Sequence, residues 1–192
     1  MSATGIQLIV GLGNPGAEYE HTRHNAGVWF VTELVHKAHA TLRRESKFQG
    51  WHSFAHLDNN DCHFLIPTTY MNHSGTSVQA VANFYKIAPQ AILIAHDEID
   101  LPVGEIRLKY EGGHGGHNGL RDIMAHLNSK QFYRLRIGVG RPTHKQVVDY
   151  VLESPKRGER ELIDASFAKV YEILDLLFLG QFQKAMHRLH SE

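Results

Sequence analysis

Cysteine is almost absent from this chain. Cys62 is the single one in 192 residues, which excludes an internal disulfide framework and a cysteine-rich zinc site and points to a reducing compartment. It opens the apolar run C-H-F-L-I at 62–66 and is expected to be a buried strand residue rather than a nucleophile. Net charge is absent too, because 20 basic side chains balance 20 acidic ones. Bulk charge therefore announces no polyanionic partner, and any case for one must rest on local distribution. No apolar stretch approaches the length of a membrane span. The first apolar run, 6–10, is too short for the core of a signal peptide and lacks a basic leader. The expectation is a cytosolic protein with no membrane partner. Two catalytic signatures are also missing: neither G-x-S-x-G nor H-E-x-x-H occurs. The chain shows no internal repeat, low-complexity tract or linker.

The composition that remains, 42% hydrophobic and 21% charged, is that of an ordinary globular domain. Ile6 to Leu12 reads as a buried strand, and Val28, Val31, Leu34 and Val35 at helical spacing predict a helix over 27–40. Short strands are expected at 51–57 and 62–66, separated by the turn-like D-N-N-D. A helix follows, with Val78, Val81, Ala82 and Tyr85 on one face, started by capping residues near Asn72–Ser74. Further strands are expected at 91–95, 105–110 and 135–139, with a helix over 119–127 between the last two. The tail reads as helical, with Leu162, Val170, Ile173, Leu174 and Leu177 as the apolar face of one long helix. Strands and helices intermix from end to end, which predicts one α/β domain over 1–192, a mixed twisted β-sheet flanked by helices on both faces.

Polar, glycine-rich segments follow the strands, where open α/β sheets bind ligands. They are G-L-G-N-P-G at 11–16 with E-Y-E-H-T-R-H-N at 18–25, P-T-T-Y-M-N-H-S-G at 67–75 and H-D-E-I-D-L-P at 96–102. A fourth, G-G-H-G-G-H-N-G at 112–119, precedes a helix, whose free N–H groups favour an anionic or carbonyl-bearing ligand. Gly11, Gly13 and Gly16 match the dinucleotide fingerprint, but no second strand with a terminal acid follows at the required distance. Nicotinamide and flavin binding are therefore not expected. With no plausible serine or cysteine nucleophile, a histidine held by a carboxylate would activate water directly. His21, His24, His96, His114 and His117 are candidates for the base, and Asp97, Glu98 and Asp100 for its partner. A metal site is the competing reading: His114 and His117, three apart, with Asp97, Glu98 and Asp100 could hold zinc or manganese.

Together these segments resemble the bacterial peptidyl-tRNA hydrolase family. The matching motifs are G-L-G-N-P-G-x-x-Y-x-x-T-R-H-N-A-G at 11–27, P-T-T-Y-M-N-x-S-G at 67–75, H-D-E-I-D-L-P-x-G at 96–104, G-G-H-G-G-H-N-G-L at 112–120 and R-L-R-I-G-V-G-R-P at 134–142. The resemblance runs from residue 6 to about residue 152 and implies a monomeric, metal-free esterase needing no cofactor and no obligatory protein partner. Its substrate would be peptidyl-tRNA, cut between the peptide carboxyl and the terminal ribose to recycle tRNA. By the same resemblance His24 is the general base and Asp97 stabilises its basic form. Asn14 senses whether the aminoacyl nitrogen is acylated, Asn72 and Asn118 line the cleft, and Tyr19 and Tyr70 contact tRNA. Lys109 and Arg136 receive the tRNA. Residues 105–145 carry eight basic side chains and three acidic ones, so a chain of zero net charge still has a positive block. Lys109 and Arg136 are expected to share a face of it and hold phosphates. The role of His117 stays open between a cleft hydrogen bond and a structural one. A metal-dependent hydrolase and a non-catalytic RNA-binding domain remain the alternatives.

Overall fold

The computed structural model describes residues 4–191. In chain order its elements are β1 (Leu8–Gly11), α1 (Ala26–Lys37), β2 (Arg43–Glu45), β3 (Gly50–Leu57), β4 (Asn60–Pro67), α2 (Ser74–Tyr85), β5 (Ile92–Glu98), β6 (Ile106–Tyr110), α3 (Asn118–Leu127), β7 (Tyr133–Gly138), α4 (Val147–Val151), α5 (Arg157–Tyr171), α6 (Leu174–Phe178) and α7 (Phe182–His190). The strands form one sheet in the order β2-β3-β4-β1-β5-β7-β6. Its centre is parallel, with β1 beside β4 and β5, and β7 beside β5. Antiparallel pairs, β2 with β3, β3 with β4 and β6 with β7, complete it toward the edges. Central strands covered on both faces must be apolar throughout, and β1 is buried at every position. β6, at the edge, alternates instead, with Ile106 and Leu108 inward and Arg107 and Lys109 outward.

The connections explain why helices cover both faces. From β1 the chain moves to the β4 side, and from β4 it returns across β1 to β5. Right-handed crossovers in opposite directions require helices on opposite faces. Accordingly Phe30, Val31 and Leu34 of α1 pack with Ile163, Phe167 and Leu177 from the tail. Val78 and Val81 of α2 pack with Leu120 and Ile123 of α3 on the other face. Asp58 and Asn59, both at positive φ, make the two-residue turn joining β3 to β4, a conformation that asparagine and aspartate tolerate. Cys62 is fully buried in β4, as its apolar run implied, and burial pushes its thiol pKa up.

Two expectations need correction, and one strand was not foreseen. The tail is not one long helix: α5 ends at Tyr171, and a tight turn (Ile173 N–H to the Val170 carbonyl, 3.0 Å) redirects the chain into α6. This turn lets the Leu177 carbonyl accept from Ile6 N–H at 3.0 Å. Within α5, Leu162 is 55% exposed rather than on the apolar face, which Ile163 occupies instead. The start of α2 is not capped by a side chain at Asn72–Ser74; its N-cap is His73, without a capping bond. Asp122 of α3 reaches across instead, and its Oδ2 accepts from Gly75 N–H at 2.7 Å. The short edge strand β2, with only three residues, has no periodicity long enough to be legible.

Candidate active site

β1 is the point where the chain's connections diverge, so a crevice opens beyond the carboxyl ends of β1 and β5. The glycines after β1 serve close packing at this point. A Cβ on Gly27 would stand 2.1 Å from the Ala95 carbonyl, and one on Gly11 2.4 Å from the Gly27 carbonyl. With both bare, α1 starts directly against β1 and β5. The turn Arg23–Asn25 leading into α1 is thereby delivered to the end of β5.

At that contact His24 meets Asp97. His24 Nδ1 lies 2.9 and 3.0 Å from the two Asp97 oxygens. A carboxylate only accepts, so Nδ1 carries the proton and Nε2 is left as the basic nitrogen. His117 Nε2 donates to Asp97 Oδ1 at 2.9 Å, while its Nδ1 accepts from Leu120 N–H at 3.3 Å and caps α3. These two bonds fix the His117 tautomer. Both roles left open for His117 are therefore occupied: it caps a helix and it steadies Asp97. The Asp97 side chain is 2% exposed. Burial opposes its charge, but the attraction of His24 and His117 and their hydrogen bonds outweigh burial and hold the carboxyl well below the usual range. At His24, burial also works against the charged form, and the Asp97 charge and hydrogen bond again prevail, raising its pKa above 6.5. His96, wholly buried, donates from Nδ1 to the Asp97 carbonyl at 2.8 Å, and burial with the neighbouring His117 lowers its pKa to about 3. It stays neutral.

Asn14 is held from three directions. Its Oδ1 accepts from Met71 N–H at 2.7 Å, its N–H donates to Asn25 Oδ1 at 2.8 Å, and its carbonyl accepts from Asn25 Nδ2 at 3.0 Å. With the oxygen committed, the Asn14 amide N–H groups are the end free to meet a ligand. Asn25 was missed by sequence reasoning; its only signal was its place beside His24. Asn72 follows Met71 and is exposed. Asn118, the first residue of α3, lines a cavity of about 480 Å³ together with His24, Asp97 and His117. The octamer's glycines form one wall: nothing lies within 4 Å of a Cβ built on Gly115 or Gly116, and both have positive φ. Gly119 has a packing role, since its Cβ would approach Met71 Sδ to 2.6 Å. The opposite wall comes from Val147, Val148 and Val151 of α4. Buried Arg23 fastens α4, donating to the Tyr150 carbonyl at 2.9 Å with its guanidinium 3.9 Å from the Tyr150 ring centroid.

Tyr19 and Tyr70 come together edge to face, with centroids 6.4 Å apart. Lys109 and Arg136 lie on adjacent strands, where Lys109 opposes Arg134 and Arg136 opposes Arg107, so all four share one face. They are not equivalent. Lys109 is exposed, whereas Arg136 is ion-paired with Glu98 at 2.8 Å. The metal set read from the sequence is not assembled. Glu98 holds Arg136, Asp100 pairs with Arg141, and His114 Nδ1 accepts from Gly116 N–H. Among the described residues the group close enough to hold an ion is His24, Asp97 and His117. There His24 Nδ1 and His117 Nε2 are already spent as donors on the same carboxylate oxygen, which an ion would have to displace.

A family model described as peptidyl-tRNA hydrolase matches residues 8–192. A curated peptidyl-tRNA hydrolase from Shewanella halifaxensis is 54% identical over 190 residues, covering 98% of each chain. The crystal structure of peptidyl-tRNA hydrolase from Acinetobacter baumannii superposes with a TM-score of 0.94 at 48% identity, covering 100% of this chain and 98% of that one. A point mutant of the Acinetobacter enzyme gives 0.95 at 47% identity, covering 100% and 97%.

Proposed function

The chain belongs to the peptidyl-tRNA hydrolase family and hydrolyses peptidyl-tRNA, and from that premise we propose that His24 and Asp97 carry out the hydrolysis by activating water directly. The observation that carries this reading is the Asp97 carboxylate, nearly sealed from solvent and accepting from both His24 and His117 at 2.9 Å. Water held at His24 Nε2 loses its proton to the ring as its oxygen attacks the ester carbonyl. Asp97 stabilises the imidazolium that forms. When the tetrahedral intermediate collapses, the imidazolium returns the proton to the departing ribose oxygen. The products are a peptide carboxylic acid, which releases its remaining proton to solvent, and a tRNA with its terminal hydroxyl restored. An ester is activated enough that no covalent intermediate is needed, and the roles assigned here require no cofactor.

Asn14 offers its amide N–H groups to the acyl group on the aminoacyl nitrogen, a neutral contact that desolvates no charge. Asn72 and Asn118 flank the peptide in the cleft, and Tyr19 and Tyr70 meet the tRNA end. Lys109, with Arg136 behind it, faces the phosphates, in keeping with the positive block at 105–145. In this reading a single domain spanning the chain works as a monomer in the cytoplasm. No helix among the described residues is long and apolar enough to cross a membrane. The test is release of N-acetyl-amino acid from N-acetyl-aminoacyl-tRNA by the purified protein, compared with the same tRNA carrying a free aminoacyl group. Rapid cleavage of the first and sparing of the second is expected. Equal cleavage of both would remove the acyl-reading role.

A further inference from the structure

The glycine wall of the cleft is fastened at one point. Gly116 N–H donates to His114 Nδ1 at 3.0 Å and His117 N–H to the His114 carbonyl at 3.0 Å, bonds that stay within the glycine-rich segment. A Cβ built on Gly113, Gly115 or Gly116 meets nothing within 4 Å, so no neighbour packs against the segment there. Among the described residues, the hydrogen bond that reaches 112–116 from outside comes from Arg134, whose Nη1 donates to the Gly113 carbonyl at 2.7 Å. Arg134 stands on β7 and is 4% exposed. Residue 112 leaves room for it by being glycine, since a Cβ there would lie 3.0 Å from Arg134 Nη2. The position is a poor one for a guanidinium. Its Nε is buried without a partner, burial and then the charge of Arg136 oppose its ionisation, and the acid that acts on it, Glu98, already pairs with Arg136. A buried cation kept without its own ion pair costs stability. What Arg134 gains there is a charge-assisted hydrogen bond to a loop carbonyl.

We infer that Arg134 is a positioning residue for peptide binding, whose grip on the Gly113 carbonyl sets the glycine wall against the peptide. The inference rests on the proposed reading, which places the peptide in the cavity that His114, Gly115 and Gly116 line with His24 and Asn118. His117 does not depend on Arg134, because Asp97 and the Leu120 N–H fix it separately. Loss of Arg134 therefore frees the wall and leaves the catalytic pair in place. Gly112, Gly115 and Gly116, all at positive φ, have no side chains to limit the movement. A free wall has to be ordered each time substrate binds, and that cost falls on KM rather than on kcat. Lys109 shares Arg134's face of the sheet but is assigned to phosphates, so its loss should be felt with the tRNA body alone.

The test compares wild type, Arg134→Ala and Arg134→Lys on N-acetyl-aminoacyl-tRNA and on an N-acetyl-aminoacyl nucleotide lacking the tRNA body. Arg134→Ala is expected to raise KM about ten-fold on both substrates, the scale of one hydrogen bond from a charged group, with kcat nearly unchanged. Arg134→Lys keeps the charge without the planar fork and is expected to fall between the two. In Arg134→Ala the backbone amides of Gly113, Gly115 and Gly116 should gain motion by NMR relaxation, while those of α3 keep theirs. An unchanged KM, a kcat lost on both substrates, or glycine amides as rigid as in wild type overturns the inference. A rise in KM confined to the full-length substrate also overturns it and places Arg134 among the phosphate contacts. If Arg134→Ala does not fold, Arg134→Lys decides: a KM equal to wild type overturns the inference, and a raised KM with kcat kept and the glycine amides loosened supports it. Failure of wild type to cleave N-acetyl-aminoacyl-tRNA would instead overturn the reading on which the inference stands.

Discussion

Asp97→Asn perturbs one interaction while leaving the base present, and its effect can be worked from the geometry. Asp97 Oδ1 is approached by two ring N–H groups, and Oδ2 stands 3.0 Å from His24 Nδ1. An amide supplies one acceptor and one donor. With the amide oxygen in the Oδ1 position it can serve both histidines, but the NH2 group then faces His24 Nδ1–H donor to donor. The ring escapes by moving its proton to Nε2, which removes the base from the cleft. The transition-state imidazolium also loses its counter-charge. At about 4 Å and an effective dielectric constant of about 20 that attraction is worth at most about 4 kcal/mol. At about 1.4 kcal/mol per decade, kcat/KM falls by up to roughly 10³-fold. The assay is kcat/KM on N-acetyl-aminoacyl-tRNA across pH. Activity requires neutral His24, so it is lost as pH falls through the His24 pKa, which in wild type lies above 6.5. Without Asp97's charge burial alone remains, and burial lowers a histidine pKa. The variant's acid limb therefore moves to lower pH even as its plateau drops. A plateau within three-fold of wild type, or an acid limb that stays or moves upward, would refute the reasoning.

Asn14→Asp places a charged acceptor where an N–H donor is needed and attracts the ammonium of free aminoacyl-tRNA. The ratio of activity on acylated to unacylated substrate should drop, and an unchanged ratio on the same tRNA removes Asn14 from the reading of the acyl group. Lys109→Ala should raise KM with kcat nearly unchanged and flatten the log–log salt dependence by about one contact. Arg136→Ala should do less, because Glu98 already neutralises Arg136. Equal losses on full-length substrate and on an N-acyl-aminoacyl nucleotide would show that these residues belong to the reaction centre. Arg23→Ala unfastens α4 from the cavity's wall and should raise proteolytic sensitivity near 147–153 along with KM; resistance equal to wild type would show that α4 is held by other contacts.

The sheet's centre was legible because buried strands announce themselves as apolar runs, and Ile92 to Ala95 has no other explanation. The tail was not, since Leu162 and Ile163 differ only in which side of α5 they occupy, and the turn at Ile173 carries no glycine or proline to mark it. The candidate site divides in the same way. His24 and Asp97, 73 positions apart, were paired by motif resemblance; only the fold gives the 2.9 Å contact and the shared His117 donor. Two of the glycines that matched a dinucleotide fingerprint are bare for a packing reason, since a Cβ on Gly11 would meet the Gly27 carbonyl and one on Gly13 the side chains of Val28 and Asn25. No local pattern encodes that, because the constraint comes from the close approach of α1 and the turn before it.

The central claim is that the neutral His24 ring, without a metal, supplies the base. Turnover of N-acetyl-aminoacyl-tRNA by wild type and His24→Ala, each dialysed against EDTA, tests it most directly. The account predicts an undiminished rate for wild type, and for His24→Ala a kcat lower by about 10²–10⁴-fold with substrate affinity retained. A His24→Ala protein keeping a third of wild-type kcat, or a wild-type rate abolished by EDTA and restored by a divalent cation, would contradict it.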